Sequence, residues 1–139
     1  PGIGKLVRAI EENAITNIRI IQHDAVEVLR DMVAPDSIEG LHVFFPDPWP
    51  KKRHHKRRLL QPSFVHTAAA CIRPGGYVYA VTDWHDYAEQ ILHTLEQEPL
   101  LENQAADFHS PLPWRPNTAF EAKGKAKEHL IYEMYFHRK

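Results

Sequence analysis

The stretch Phe44–Arg58, F-F-P-D-P-W-P-K-K-R-H-H-K-R-R, sets two kinds of chemistry side by side. Asp47 lies between Pro46 and Pro48, whose rings hold φ at about −65° and remove two backbone donors. So stiff a turn aims one carboxylate and the indole of Trp49 in set directions, which suits a planar substrate. Guanine is one, since its N1–H and 2-amino group can both donate to a single carboxylate. Trp49 can stack on such a base, line its pocket or pack in the core, and the sequence leaves these open. Directly after the turn, Lys51, Lys52, Arg53, Lys56, Arg57 and Arg58 place six positive charges within eight residues. Removing those six from the chain's net −1 leaves −7 on the remainder, counting His as neutral. A basic segment on an acidic body implies a local polyanion site, with a solvated loop as the competing reading. A carboxylate for a base edge beside cations for phosphates favours RNA or DNA over a small acidic metabolite.

Two further carboxylates join Asp47 once the elements are placed. Leu6, Val7, Ile10 and Ala14 predict a helix over Gly4–Asn13, and Ile18–Gln22 is a β-branched run that reads as a strand. Val26–Met32 reads as a helix ended by Pro35, and Leu41–Phe45 as a strand closed by Pro46. Gln61–Ile72 carries a helical apolar face and stops at Arg73-Pro74-Gly75-Gly76, before a third strand, Tyr77–Thr82. Tyr87 to Leu95 marks another helix, and Pro99–Glu128 reads as an ordered loop. His129–Arg138 alternates as an edge strand or hairpin partner. Strands alternating with helices predict an α/β domain, with a parallel sheet and helices on both faces. Ligands of such sheets sit at the carboxyl ends of the strands. Asp24, Asp47 and Asp83 each follow a predicted strand, so all three are expected at one edge. Asp24 and Asp83 could instead cap the helices after them.

Composition excludes several classes. The 139 residues make one compact domain, and 43% hydrophobic with 25% charged residues is ordinary for a globular protein. No apolar run approaches the ~20 residues of a membrane helix, and no secretory signal opens the sequence. The single cysteine, Cys71, excludes an internal disulfide and fits a reducing cytoplasm, where it reads as a packing residue. Ten histidines are present, but none forms H-x-x-x-H on a helix, so no metal site is expected. Trp84 and Trp114 read equally as pocket walls or core.

F-F-P-D-P-W-P-K-K-R-H-H-K-R-R followed by Q-P-S-F closely resembles the signature of bacterial tRNA (guanine-N7)-methyltransferases. Further matches are I-I-Q-H-D-A at Ile20–Ala25, R-P-G-G-Y-V at Arg73–Val78, T-D-W at Thr82–Trp84 and R-P-N-T-A-F-E at Arg115–Glu121. The matches span the whole chain in the family's order. The resemblance implies a class I, Rossmann-like fold with a seven-stranded sheet. It also implies methyl transfer from S-adenosyl-L-methionine to guanine 46 in the tRNA variable loop. By resemblance, Asp24 contacts the adenine end of the cofactor, and Asp47 stands between methyl donor and guanine. Lys51, Asp83 and Thr118, Ala119, Phe120 and Glu121 bind the base or close the pocket. Arg53, His54, His55, Lys56, Arg57 and Arg58 contact tRNA.

Two family elements are absent from this sequence: the glycine-rich loop after the first strand and the acidic residue that grips the ribose hydroxyls. Residues 1–139 are therefore expected to form one partial methyltransferase domain whose sheet lacks its first strands, with an apolar sheet edge that dimerisation or reordering would cover. Weak cofactor binding by this chain follows, because glycine is needed where backbone closely approaches the methionine moiety. The competing readings are a non-catalytic RNA-binding remnant and an amino-group methyltransferase. The motif of the latter has two prolines after the acid, whereas Asp47 is followed by Pro48-Trp49.

Overall fold

The structure, a computed structural model, describes residues 2–116, Glu121 and residues 130–139. In chain order it contains α1 (Gly2–Glu12), α2 (Ala25–Glu27) running into a π-helical turn (Val28–Met32), β1 (Ile38–Phe44), a 3-10 helix (Lys52–Arg57) and α3 (Pro62–Cys71). There follow β2 (Ile72–Thr82), α4 (His85–Gln97), β3 (Leu101–Asn103) and β4 (Tyr132–Arg138). The sheet order is β1-β2-β4-β3. β1 and β2 are parallel, with α3 as the helical crossover that such a pair needs. β4 runs antiparallel to both β2 and β3.

Period-two alternation sorts the strand side chains between two faces. Leu41, Val43, Val78, Ala80, Met134 and Phe136 share one face and pack on Phe64, Val65, Ala68 and Ala69 of α3 and on Tyr87, Ile91 and Leu95 of α4. Both helices repeat their apolar residues three and four apart, so each turns a single stripe to the sheet. Burying each large side chain in this layer contributes roughly 1.5–3 kcal/mol before chain entropy is counted. The opposite face is aromatic: His42, Phe44, Tyr77, Tyr79 and Tyr135 stand there, with the Trp114 ring 5.4 Å from Tyr79 and 5.5 Å from His42.

Several expectations are corrected. Ile18–Gln22 is not a strand; Ile18, Ile20 and Ile21 are exposed, and the segment has no strand partner among the described residues. β propensity only describes how well a residue suits a pleated surface, and without a ladder the run stays irregular. The sheet is parallel only between β1 and β2, and the helices that pack on it lie on one face, while α1 buries none of its residues. β4 is an inner strand rather than an edge, because the three-residue β3 pairs beyond it. The Arg73-Pro74-Gly75-Gly76 stop lies inside β2, beside a register shift between Ile38 and Gly40. Gly75 turns there at φ 87°. Gly76 lets β1 approach so closely that a Cβ on it would lie 2.3 Å from the Glu39 carbonyl oxygen.

Gly76→Ala should therefore lower stability by about 1–3 kcal/mol, read as a shift of the urea midpoint at constant m. Gly4→Ala is the control. An added Cβ there meets nothing within 4 Å, and the helix propensity of alanine should raise stability by up to about 1 kcal/mol.

Candidate functional site

At the end of β1 the amide of Phe45 donates to the Val81 carbonyl at 2.7 Å, and Phe45 then leaves the sheet with φ 51°. Trp49 adopts φ 40°. Two non-glycine residues in the left-handed region within one short turn store strain of order 1 kcal/mol or more each. Between them Asp47 is exposed, and its Oδ1 accepts from the Trp49 amide at 3.2 Å. Among the described residues no donor reaches its Oδ2. Phe44 pairs with Val81 in parallel register, so the Asp47 turn and Asp83 leave the sheet at the same end. Asp83 does not cap α4, whose N-cap is Trp84; with Trp84, Leu130 and Tyr132 it lines a cavity of about 360 Å³.

Asp24 is placed differently. No strand ends before it, and its Oδ1 accepts from the Val26 amide at 2.9 Å, capping α2. Its neighbours His23 and Ala25 nevertheless line a cavity of about 460 Å³ with Ile21, Phe44 and Pro46. Asp24 thus borders a mainly apolar hollow that reaches the start of the Asp47 turn.

The basic run divides into outward and inward members. Lys51, Lys52, Arg53, Lys56 and Arg57 are exposed, most of them on the 3-10 helix. The Arg57 guanidinium lies 5.1 Å over the Trp49 ring, and His54 meets the same ring edge-on at 5.8 Å. Trp49 is thus held on two sides by the segment that follows it. His55 directs Nε2 to the Pro50 carbonyl at 3.3 Å. Arg58, expected to contact tRNA, has a side chain only 1% exposed. Its Nε donates to the Pro48 carbonyl at 2.7 Å, Nη1 to Gln90 at 3.2 Å and Nη2 to Asp86 at 2.8 Å. The Tyr87 ring lies 4.7 Å from its guanidinium carbon. The hydrogen bond from Arg58 holds the Asp86 carboxyl below its ordinary range. Chain geometry explains the turn inward: Arg58 is the extended residue that ends the 3-10 helix, and Leu60 behind it is buried.

Thr118, Ala119 and Phe120 lie outside the described residues. Glu121 is buried and takes a two-pronged pair from Arg115, at 2.5 Å from Nη1 and 2.9 Å from Nη2. Arg115 Nε donates to the Tyr79 hydroxyl at 3.0 Å and to Glu133 at 3.3 Å, while the Tyr79 hydroxyl donates to Glu133. Burial first, and the Glu133 bond second, push the Tyr79 phenol up to about 12. Sequence reasoning missed Arg115, Tyr79 and Glu133 as one group. The signal was present: the alternation that sends Met134 and Phe136 to the helices sends Glu133 to the other face, where a carboxylate must find a partner. No group of three or more His, Cys, Asp or Glu among the described residues could hold a metal ion, and no described helix is long and apolar enough to cross a membrane.

Residues 1–134 match the model of a family described as "Putative methyltransferase". A Bordetella pertussis protein named tRNA (guanine-N(7)-)-methyltransferase is 58% identical over 138 residues, 99% of this chain and 54% of that protein. A Burkholderia vietnamiensis protein of the same name is 52% identical over 139 residues, 100% of this chain and 54% of that protein. The chain thus spans about half the length of the relatives it matches. Among solved structures, a SAM-dependent O-methyltransferase from Thermotoga maritima aligns with a TM-score of 0.52 at 15% identity, over 95% of this chain and 43% of that one. That likeness shows the fold.

The Tyr79 phenol gives a pH test with a defined sign. Its folded pKa stands above the ordinary value of 10, so the unfolded chain ionises first as pH rises. The contribution is whole below pH about 10 and is lost between about 10 and about 12, an effect on the order of 2–3 kcal/mol. Tyr79→Phe should flatten this alkaline loss in urea titrations; equal slopes in both proteins would show that the phenol does not titrate there.

Proposed function

The chain belongs to this methyltransferase family, and from that premise we propose that the whole protein transfers a methyl group from S-adenosyl-L-methionine to N7 of guanine 46 in the tRNA variable loop. The observation that carries the reading is the Asp47 turn, which sets a carboxylate at the strand ends beside Asp83, with exposed cations immediately after it. The names of relatives 52–58% identical to this chain support the same reaction. On this reading tRNA is the partner and the cytoplasm the place of action.

Guanine N7 has an in-plane lone pair and no proton, so its methylation needs no general base. S-adenosyl-L-methionine, when bound, supplies an electrophilic methyl on a sulfonium. What the chain contributes is placement and potential. Asp47 sets negative charge where positive charge develops on the imidazole ring, and the stiff turn keeps it there without reorganisation. Lys51 and Asp83 face the base from the same end of the sheet, and Lys51, Lys52, Arg53, Lys56 and Arg57 take the phosphates. Glu121 has both oxygens on Arg115 and is assigned to the base pocket on this reading.

The residues present fit one end of the cofactor. The apolar hollow flanked by His23 and Ala25 and walled by Ile21, Phe44 and Pro46 suits an adenine ring, with Asp24 beside it. Nothing among the described residues fits the ribose hydroxyls or the methionine end, and the sequence contains neither the glycine-rich loop nor the acid those groups require. The 139-residue chain alone is therefore expected to show no micromolar cofactor binding by isothermal titration; micromolar affinity would overturn this division of the site.

In the full-length protein, Asp47→Ala is expected to slow tRNA methylation about a hundredfold, equivalent to roughly 3 kcal/mol. Melting should hardly change, because Asp47 is exposed and bonds only within its own turn. A normal rate would remove Asp47 from the reaction centre.

A further inference from the structure

The Pro46–Pro50 turn is poorly equipped to hold its own shape. Its three prolines carry no amide hydrogen. Inside it, only the Trp49 amide finds an acceptor, on Asp47 itself. A turn with so few amide donors is tied from outside through its carbonyls. The Pro48 carbonyl receives Arg58 Nε at 2.7 Å, the shortest bond that reaches the turn from the residues after it, and the Pro50 carbonyl receives His55 at 3.3 Å. Resting on the reading of Asp47 above, we propose that Arg58 is a positioning residue: it clamps the Asp47 turn to α4 and makes no contact with RNA.

The guanidinium is used on every side. Nε takes the turn, Nη1 and Nη2 take Gln90 and Asp86 of α4, and Tyr87 covers its flat face. Gln90 also donates to the Leu60 carbonyl at 2.9 Å, and the Leu60 amide donates to the Tyr87 hydroxyl at 3.2 Å. Asp86, Tyr87 and Gln90 thus form one docking face on α4 for the whole Arg58–Leu60 junction. A phosphate at Arg58 would meet the Asp86 carboxylate and would have to enter a site where the arginine side chain is 1% exposed. The planar fork serves here as a three-way connector, a role that the single ammonium of lysine does not reproduce. The cations that reach solvent from the same run belong to the substrate; Arg58 belongs to the turn.

The test uses the full-length protein with Arg58→Gln, Arg58→Lys and, as a phosphate-contact reference, Arg53→Gln. Three quantities are read: kcat and KM on tRNA, the salt dependence of tRNA affinity, and hydrogen exchange across residues 44–52. Both Arg58 variants should lose about tenfold or more in kcat, because small misplacement of a reacting group is costly. Their salt slope should stay at the wild-type value, and exchange at the Trp49 amide should speed up. Arg53→Gln should raise KM and lower the slope by about 0.7–0.9, one phosphate contact. A slope lowered by Arg58→Gln as much as by Arg53→Gln, or full kcat in Arg58→Lys, overturns the proposal. Should Arg58→Gln not fold, Arg58→Lys decides through the same readouts. Were the wild-type protein to methylate no tRNA, the functional reading would fail by itself; unchanged exchange at Trp49 in the Arg58 variants would still overturn the clamp.

Discussion

The parallel register of β1 on β2 fixes where the polar groups of this protein can stand. Phe44 pairs with Val81, and the Phe45 amide continues the ladder to the Val81 carbonyl at 2.7 Å. The two strands therefore release their chains at one end of the sheet, the first into the Asp47 turn and the second into Asp83. A slip of one residue would exchange the faces of β1, burying His42 and Phe44 against the helices and exposing Val43. The helix-packed layer of Val43, Val78, Ala80, Phe64 and Ile91 makes that slip costly. Core packing far from the carboxylates thus sets their positions.

Two arginines with buried side chains extend the same order outward. Arg58 and Arg115 each serve a proline-rich segment, Pro46–Pro50 and Pro111–Pro116, that has few amides to bind itself. Each guanidinium is paired with carboxylate and bonded to a neutral group besides, Gln90 and a carbonyl for Arg58, the Tyr79 hydroxyl for Arg115. Where both partners are buried, as in Arg115–Glu121, the pair gives little net stability, but removing one partner leaves an unpaired charge and typically costs about 3–5 kcal/mol. Such groups fix one arrangement against its alternatives more than they deepen the fold. That is what a segment with restricted φ and missing donors needs, and among the described residues no buried side-chain polar atom is left without a hydrogen bond.

The sequence exposed those features whose information is local. Helical spacing marked α3 and α4 within two residues of the observed ends, and the apolar runs marked all but the first three residues of β1 and the second half of β2. It failed where the outcome depends on a distant partner. Ile18–Gln22 has strand residues, but a strand is completed by pairing, and none is made among the described residues. β3 is three residues long, below any periodic signal, and its presence turns β4 from an edge into an interior strand. Asp83 and Asp47 were legible as strand-end carboxylates, while Asp24 proved to cap a helix whose preceding strand does not exist. The basic run shows the limit most plainly: six like charges within eight residues look equivalent on paper, and only α4, almost thirty residues later, draws Arg58 inward by offering Asp86 and Gln90.

The two sides of the proposed reaction are unequally represented in this half-length chain. What it holds firmly is what a base and its phosphates require: a strained turn with an exposed carboxylate, a second carboxylate at the same sheet end, and cations on a short helix packed against the turn by Trp49. On the donor side it offers an apolar hollow beside β1 and the capping residue Asp24, with the exposed Ile21 as one wall. The difference follows from the physics of the two ligands. A nucleic acid is recognised by directed charge, which rigid turns and buried arginines can hold locally. A zwitterionic donor needs backbone at close range and a carboxylate for its ribose, which only additional strands can bring. On the proposed reading, substrate orientation and donor binding are therefore separate tasks. The Asp47 turn and Asp83, which would face the base on that reading, are held in place by the β1–β2 pair and by α4.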